Sequence, residues 1–513
     1  MKLAKWLAKL GSPRDEAQSV GRALLQRALE LREAGDDAQA QACYRDLLAE
    51  DPENEEARRH LGHLLALQGS EQQGRGDLHD AIESYLEALA LAPGQAQVHN
   101  NLGNAYRSIG RDEDALACFR EALALDPAQP EAHLNLGIAL HQRGARDEAA
   151  AHYRAALAAR PAFAEASLNL GYLHDQDGEW EAAAGLYRQA IAARPEDAEA
   201  HFNLALCLLG SGDFDAGWRE YEWRLRLPGL ASKWPFQGRP RWDGGALEGR
   251  TILLYAEQGF GDALQFVRYA PLVAARGGTV VLQCEPKLKA LFESVAGVSA
   301  VASVGEPAPG FDLCCSLLSL PRIFGTTTRS IPAGGAYLKA DAARALAWRE
   351  ELAAQRAEAK VGLFWATDAR TSISALKSMT LEALAPLAAA PGVVFYSLQR
   401  GEAAKQVGQA PRGMKIVSPQ LGDFSDDAAL VENLDLVISI DSATAHLAGA
   451  LGKPVWTLLA YPPEWRWGRE GDRSPWYPSM RLFRRSRGAD WARVVSSVAP
   501  SLGEFVRAHR GRP

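Results

Sequence analysis

The chain has 513 residues and a formal net charge of -7, with 47% hydrophobic and 23% charged residues. This length exceeds what one hydrophobic core supports, so we expect two or three domains. The acidic balance argues against nucleic acid as the main partner, because surfaces that bind nucleic acid are basic. No run of eighteen apolar residues occurs, and we therefore predict no membrane-spanning segment.

The six cysteines form no Cys-x-x-Cys pair, which is typical of reduced thiols in a cytoplasmic protein. Residues 1–20 are predicted to be a short amphipathic helix, with Trp6 and Leu10 among its apolar positions and lysines away from them. Two interpretations are open for this segment. Residues 1–10 either contact the inner face of a membrane weakly, or they cover the first helices that follow.

Residues 21–230 carry a period of 34 residues, which is the signature of a repeat array. Glycine and, sixteen positions later, an aromatic residue recur at Gly103, Gly137, Gly171, Phe119, Tyr153 and Tyr187. This is the tetratricopeptide pattern, in which small residues let two helices approach and an aromatic ring fills the gap. About six such repeats predict an α-solenoid with a concave face.

Four asparagines recur at the same repeat position, Asn101, Asn135, Asn169 and Asn203. An asparagine ladder of this kind can hold a peptide backbone, and it resembles the one that lines the repeats of O-linked N-acetylglucosamine transferases. The alternative is that asparagine is a common consensus residue here. The repeats by themselves indicate a module that binds a protein or peptide.

A Gly-, Pro- and Trp-rich linker, residues 231–247, precedes a first α/β lobe, residues 248–345. A predicted strand from Thr251 is followed by a turn with Gly259 and Gly261, which permit close approach of the backbone. Asp262 then begins a helix, where a carboxylate complements the helix dipole and needs no further role.

Residues 346–513 form a second predicted α/β lobe, with strands at residues 360–365, 391–398, 414–418 and 436–440. Gln399 directly follows the second of these strands. Strands that alternate with helices in two successive lobes predict a pair of Rossmann-like domains. The fold class is therefore α plus α/β.

Residues 436–459 read as strand, turn, helix and strand, with Asp441, Ser442 and Thr444 where a helix would begin. A helix N-terminus at the carboxyl end of a parallel strand suits a phosphate group. His446 lies one turn into this helix. The alternative is an ordinary β-α-β unit in which the polar residues only cap the helix.

The run DSATAHLAGALGKPV, which begins at Asp441, resembles the donor-site motif of glycosyltransferase family 9, the heptosyltransferase-like enzymes. The run EQGFGDALQFVRYAP resembles the branch of that family that contains tetratricopeptide repeats. The resemblance implies a GT-B architecture and a nucleotide-sugar donor. It also implies residue roles: Asp262 as catalytic base, and Asp441, Ser442, Ala443, Thr444, His446, Lys377 and Gln399 as donor-binding residues.

Residues 366–378 depart from the family pattern, since Ala366, Thr367 and Asp368 replace Gly-Asn-Pro. Lys377 stands where relatives have arginine, and it either adds charge near a diphosphate or is a solvated residue before a helix. Glu257 is a second candidate for the base. No Asp-x-Asp metal motif appears in a plausible loop, so we expect neither metal nor cofactor.

We therefore predict a metal-independent, inverting glycosyltransferase that acts on a protein or peptide recruited by the repeats. Two alternatives are open. One is a transferase for lipopolysaccharide or another cell-envelope glycan, as in single-domain relatives. The other is a binding scaffold whose transferase half has lost activity, which the altered loop favours and the intact Asp262 and residues 441–446 oppose.

Overall fold

The computed structural model describes residues 13–231, 236, 238–332, 335–367 and 372–509. The predicted membrane contact of residues 1–10 lies outside these ranges. The chain forms two compact units, Met1–Leu173 with Ala192–Pro195, and His174–Ile191 with Glu196–Pro513. No helix among the described residues is both long enough and apolar enough to cross a bilayer.

Between residues 13 and 221 the chain forms twelve helices, α1 to α12, of which the first eight and the last two pack in consecutive pairs. They are Pro13–Glu33, Asp37–Glu50, Glu55–Arg75, Leu78–Leu91, Ala96–Ser108, Asp112–Leu125, Pro130–Gln142, Arg146–Ala159, Ala164–Gln176, Trp180–Ala193, Ala198–Ser211 and Phe214–Tyr221. A 3₁₀ turn, Glu222–Arg226, and a short helix α13, Pro228–Ala231, follow.

The repeated glycines explain why these helices pair so closely. A Cβ atom added at Gly103 would lie 2.6 Å from the Phe119 ring, and one added at Gly137 would lie 2.6 Å from the Tyr153 ring. Both rings are fully buried. Each aromatic ring therefore fills the space that a missing side chain leaves, which is the close packing expected of a protein interior.

The first α/β lobe holds a parallel sheet with the strand order β3-β2-β1-β4. Its strands are β1, Thr251–Tyr255; β2, Thr279–Cys284; β3, Val298–Ser303; and β4, Leu313–Ser316. The helices that follow are α14, Phe260–Phe266; α15, Ala270–Ala274; α16, Lys289–Phe292; α17, Leu320–Ile323; and α18, Ala342–Ala353. The apolar residues of the two inner strands, β1 and β2, are buried, as expected for parallel strands with covered faces.

The second lobe holds a parallel sheet with the order β10-β9-β8-β5-β6-β7. Its strands are β5, Ala359–Phe364; β6, Val393–Ser397; β7, Ile416–Val417; β8, Leu436–Ile440; β9, Val455–Leu459; and β10, Met480–Arg484. Its helices are α19, Ser372–Lys377; α20, Phe424–Glu432; α21, Ala443–Ala450; and α22, Trp491–His509. Short 3₁₀ segments include Leu381–Ala389, Glu402–Gln409 and Trp465–Trp467.

The predicted fold class is confirmed: helical repeats precede two parallel α/β sheets. The helix after β8 begins at Ala443, directly after the N-cap residue Ser442, which is one of the residues expected at its start. It ends before Gly452, whose φ of +71° is the left-handed conformation that glycine adopts after a helix. The polar turn after β8 is therefore held at a fixed place at the edge of the second sheet.

Candidate functional site

A cleft of about 1070 Å³ opens at the carboxyl ends of the strands of the second sheet. Phe364 at the end of β5, Gln399 after β6 and Ser442 after β8 all line it. Phe260 and Lys287 of the first lobe contribute to the opposite wall. A cleft at this edge of a parallel sheet is where α/β proteins bind their ligands.

The N-terminus of α21 faces this cleft through Ser442, Ala443 and Thr444. Ser442 caps the helix by accepting a hydrogen bond from the Ala445 amide (3.4 Å), and its hydroxyl also contacts the Ser439 hydroxyl (2.8 Å). The first amides of the helix therefore lie at the cleft, together with the positive end of the helix dipole. This arrangement suits an anionic group.

Gln399 lies in the cleft wall, but its carboxamide is already bonded to the backbone. Its Oε1 atom accepts hydrogen bonds from the amides of Trp365 (3.1 Å) and Ala366 (3.0 Å). Its Nε2 atom donates to the carbonyls of Ala366 (2.8 Å) and Arg400 (3.1 Å). Gln399 therefore joins the chain after β5 to the chain after β6, and shapes the cleft by doing so.

Lys377 forms an ion pair with Asp441, whose Oδ2 atom lies 2.6 Å from the lysine Nζ atom. Neither residue is among the described residues that line the cleft. Burial alone would raise the pKa of Asp441, but Lys377 and other nearby cationic groups outweigh it and lower this pKa. Lys377 thus neutralises a buried carboxylate beneath the polar turn.

His446 is buried on α21, and its Nδ1 atom lies 2.8 Å from the Tyr477 hydroxyl. Burial, reinforced by the nearby Arg466, lowers the pKa of His446 to about 3, so the imidazole is neutral at physiological pH. The ring packs on Gly261, where a Cβ atom would lie 2.9 Å from the imidazole Cδ2 atom. Helices α14 and α21 consequently pack against each other.

Asp262 lies in the first turn of α14, where its Oδ2 atom accepts a hydrogen bond from the Gly259 amide (3.0 Å). Its Oδ1 atom forms an ion pair with the Arg466 guanidinium. Arg466 also pairs with Glu464 and donates to Gln265 Oε1 (2.6 Å). Burial raises the pKa of Glu464, and Arg466 opposes this rise.

Glu257, the second candidate for the base, lies at the other end of the same turn. Its Oε1 atom accepts a hydrogen bond from the fully buried Arg224 at 2.6 Å. Arg224 also donates to Glu222 Oε1 (2.8 Å) and the Ser319 hydroxyl (2.9 Å). The glycine turn is therefore held by one arginine at each end.

The asparagines of the predicted ladder have different surroundings. Asn135 is buried and donates to Asn100 Oδ1 (2.9 Å), whereas Asn169 donates to the Glu165 carbonyl (2.8 Å). Asn101 is half-buried and accepts a hydrogen bond from Gln97 (2.9 Å). Asn203 is half-buried. A shared role in peptide binding stays a prediction.

Sequence reasoning did not identify the partners of the predicted residues. Arg466 and Tyr477 lie in residues 462–483, a stretch rich in aromatic and polar residues. In the structure Arg466 contacts Asp262, and the Tyr477 hydroxyl lies 2.8 Å from His446 Nδ1. The unusual density of tryptophan, tyrosine and arginine was the available signal. Among the described residues, no three His, Cys, Asp or Glu side chains cluster as metal ligands would.

Both parts of the chain match known protein families. Residues 25–75, 75–110, 103–144, 134–193 and 168–221 match tetratricopeptide repeats. Residues 383–497 match glycosyltransferase family 9 (heptosyltransferase). The chain carries tetratricopeptide repeats and a C-terminal glycosyltransferase family 9 domain. The matched range of the family 9 domain contains α21, the polar turn before it and the segment with Arg466.

The chain is also similar to Protein FlbA of Caulobacter vibrioides, with 32% identity over 324 residues, 58% of this chain and 54% of that protein. The chain thus spans about half the length of this curated relative. Among solved structures, Pseudomonas aeruginosa PilF is 22% identical, with a TM-score of 0.33, and covers 42% of this chain and 94% of its own.

The crystal structure of YrrB, a TPR protein with an unusual peptide-binding site, is 21% identical with a TM-score of 0.29, and covers 34% of this chain and 88% of its own. These TM-scores are too low to support a conclusion about this chain. The assignment of the repeats and of the family 9 domain is supported by the family matches and by the geometry described above.

Proposed function

We propose that this glycosyltransferase moves a sugar from a nucleotide-sugar to a protein or peptide that the repeats recruit in the cytoplasm. The observation that carries the proposal is the cleft at the carboxyl ends of β5, β6 and β8, because the N-terminus of α21 faces it. Arg400 and Lys405 also line the cleft, where they pair with Asp427 and Glu402. A nucleoside diphosphate fits this chemistry, since its phosphates need hydrogen-bond donors and positive charge.

We propose a single displacement without a metal ion. Asp262 takes the proton from the acceptor hydroxyl while the hydroxyl oxygen attacks the anomeric carbon. The bond from that carbon to the diphosphate breaks, and its electron pair leaves on the diphosphate oxygen. Attack from the face opposite the leaving group inverts the anomeric configuration. The amides at the start of α21 stabilise the charge that develops on the leaving diphosphate.

A second candidate function is that of a binding scaffold in which the transferase half no longer turns over substrate. The pairing of Asp262 with Arg466 and of Asp441 with Lys377 favours it, because both predicted functional carboxylates already have a cationic partner. A transferase for a cell-envelope glycan is the remaining enzyme alternative. The scaffold can be distinguished from the proposed function by nucleotide binding, and the cell-envelope transferase by its choice of acceptor.

The test is calorimetric titration of the protein with a panel of nucleoside diphosphates and their sugars, repeated on Ala443→Glu and Ala443→Gln. We expect micromolar binding of one nucleotide. We also expect Ala443→Glu to weaken it about tenfold or more, because two like charges about 4 Å apart repel by roughly 1–4 kcal/mol. Ala443→Gln has the same size without the charge, and should bind nearly as well as the wild type.

The melting temperature serves as the control for folding, because a carboxylate in the first turn of a helix is favourable. Equal losses of binding in the two Ala443 variants would contradict the anion site. With the sugar of the bound nucleotide, Asp262→Asn should keep nucleotide binding and lose about 10²–10⁴-fold in turnover, as expected for loss of a general base. Binding without turnover in the wild type would favour the scaffold.

A further inference from the structure

Residues 461–469 connect the turn between α9 and α10 to the predicted base, and all of these residues belong to the second compact unit. The Tyr461 hydroxyl donates to the Asp177 carbonyl (2.9 Å). Arg469 donates to Glu181 Oε1 (2.7 Å), and its guanidinium lies over the Trp180 ring at 5.1 Å. Both ends of the segment are thus attached to the same part of the repeats, residues 177–181.

Gly178 shows how closely the segment and this turn pack. A Cβ atom added at Gly178 would lie 3.0 Å from the Tyr461 hydroxyl oxygen and 3.5 Å from Pro462 Cβ. At the equivalent position of the preceding repeat, Gly144, a Cβ atom would have no neighbour within 4 Å. The contact with Tyr461 is therefore a property of this one turn rather than of the repeat pattern.

Arg466, in the middle of the segment, contacts Asp262. Arg466 presents its three nitrogen atoms to three acceptors: Nε to Gln265, Nη1 to Glu464 and Nη2 to Asp262. Its side chain is only 8% exposed. A buried guanidinium with three acceptors has one favourable orientation, and it fixes the orientation of the carboxylates it contacts.

Trp465, which directly precedes Arg466, holds the segment against the repeats at a further point. Its ring packs edge-to-face on Trp218, with ring centroids 5.4 Å apart, and it is tilted against Tyr221 at 6.3 Å. Trp218 and Tyr221 both lie on α12, the last helix of the repeats. The segment therefore contacts the repeats on both sides of the residue that contacts Asp262.

We propose that Arg466 is a positioning residue for Asp262, and that the repeat turn at residues 177–181 holds Arg466 in place through residues 461–469. The expected effect on turnover rests on the function proposed above, in which Asp262 is the catalytic base. A change in the repeats at this turn then alters the orientation of the base without a change in the donor cleft, which Arg466 does not line. An acceptor bound to the repeats would act on turnover by this route.

The first test needs no substrate and uses hydrogen exchange of the peptide around Gly259, whose amide donates to Asp262. We expect about tenfold faster exchange there in Arg466→Gln, as for loss of one charge-assisted hydrogen bond, and a smaller increase in Arg466→Lys, which keeps the charge. Gly178→Ala should accelerate exchange at the same peptide. Gly144→Ala is the matched control, because φ is +81° at Gly144 and +71° at Gly178.

The second test is steady-state turnover with the nucleotide-sugar found in the titration. Arg466→Gln and Gly178→Ala should lower kcat about tenfold to a hundredfold, as expected when a reacting group is misplaced by about 1 Å. The KM for the donor should stay near the wild-type value, and Arg466→Lys should recover part of the loss in kcat. A general loss of folding would instead lower the melting temperature and the fraction of active protein.

Two results would overturn the proposal. One is that Gly178→Ala and Gly144→Ala give the same exchange at the Gly259 peptide, and the other is that Arg466→Gln leaves that exchange unchanged. If the wild type binds no nucleotide, the proposed function fails, while the exchange measurement still decides whether the repeat turn controls the position of Asp262. The two failures are therefore separate.

Discussion

Glycine makes room for a ring in two regions of this molecule, by the same physical means and at very different distances along the chain. In the repeats, Gly137 accommodates Tyr153 from the next helix. At the candidate site, Gly261 in the first lobe accommodates His446 in the second lobe. The repeat contact joins neighbours in sequence, and the site contact joins two domains.

This difference shows which interactions a sequence pattern reveals. A contact between adjacent helices recurs with every repeat, so it appears as a period in the sequence. The contact of Gly261 with His446 occurs once, and it depends on how two separate sheets place their helices. The repeats therefore have many similar contacts of moderate strength, whereas the site depends on a few long-range contacts between charged groups.

The strongest test of the long-range contacts is Arg224→Met. Arg224 is fully buried and joins Glu257 to Glu222 and Ser319. Its removal leaves two partly buried carboxylates, with side chains 11% and 22% exposed, without their cation, which should cost up to about 3–5 kcal/mol in the free energy of unfolding. The midpoint of urea unfolding, measured with the slope of the transition, gives this value.

Arg226→Met is the control, since Arg226 belongs to the same 3₁₀ turn and forms an ion pair with Glu196 on the surface. The arginine side chain there is 59% exposed, and an exposed pair is worth less than about 1 kcal/mol. Similar losses in the free energy of unfolding of the two variants would show that the network around Arg224 contributes no more to stability than a surface ion pair. The contrast between local and long-range contacts would then weaken.

The local contacts are tested by Gly137→Ala. The added methyl group would overlap the Tyr153 ring, which is fully buried, and overpacking of this kind costs about 1–3 kcal/mol. The thermal unfolding temperature should fall. Gly185→Ala is the matched control, because Gly185 is an exposed position in α10 with no atom near the added methyl group.

At Gly185 alanine should stabilise the helix by about 0.5–1 kcal/mol, since glycine carries an entropic cost in helices. The two substitutions should thus shift the unfolding temperature in opposite directions. A decrease at both positions would mean that the close contact between glycine and ring is not what makes Gly137 necessary.

The last test concerns Asp175, in the last turn of α9. Burial raises the pKa of Asp175 from 3.8 to about 6, although the Cys207 thiol, with Sγ 3.8 Å from Oδ1, favours the charged form. The folded state therefore binds this proton more tightly than the unfolded state. The resulting contribution to stability is complete below about pH 4 and is lost as the pH rises through 6.

Asp175→Asn removes this titration, so the wild type should lose stability relative to the variant as the pH rises from about 4 to about 6. The difference in thermal unfolding temperature between the two proteins, measured across this range, gives the effect. Asp46→Asn, at an exposed position of α2, is the control. A pH-independent difference for Asp175→Asn would contradict the assigned burial of its carboxyl group.

Much of the fold was predictable because it follows from local patterns. The period of 34 residues predicted the helix pairs, and short apolar runs predicted β5, β6 and β8. The strand expected at residues 414–418 is shorter, Ile416–Val417, since only these residues pair with β6. Its short length reflects its place at the edge of the sheet, which a single strand sequence does not encode.

The candidate site was predictable in its residue types and not in their partners. A cap-forming turn after a strand places Ser442 and Thr444 at a helix N-terminus, and this follows from local sequence. The bond between Gln399 and the backbone after β5 depends on the pairing of two strands. The ion pair of Asp262 with Arg466 depends on the position of a segment 204 residues away.

The sequence by itself determined the repeats, the two α/β lobes and the polar turn at the start of α21. The helix pairs and the polar turn depend on contacts among residues close in the chain, and the strands of the two lobes are marked by short apolar runs. Only the tertiary structure decided which cation meets which carboxylate. Lys377 meets Asp441, Arg224 meets Glu257 and Arg466 meets Asp262. The reason is physical: a buried charge takes the counter-charge that folding brings nearest, whatever its distance along the chain.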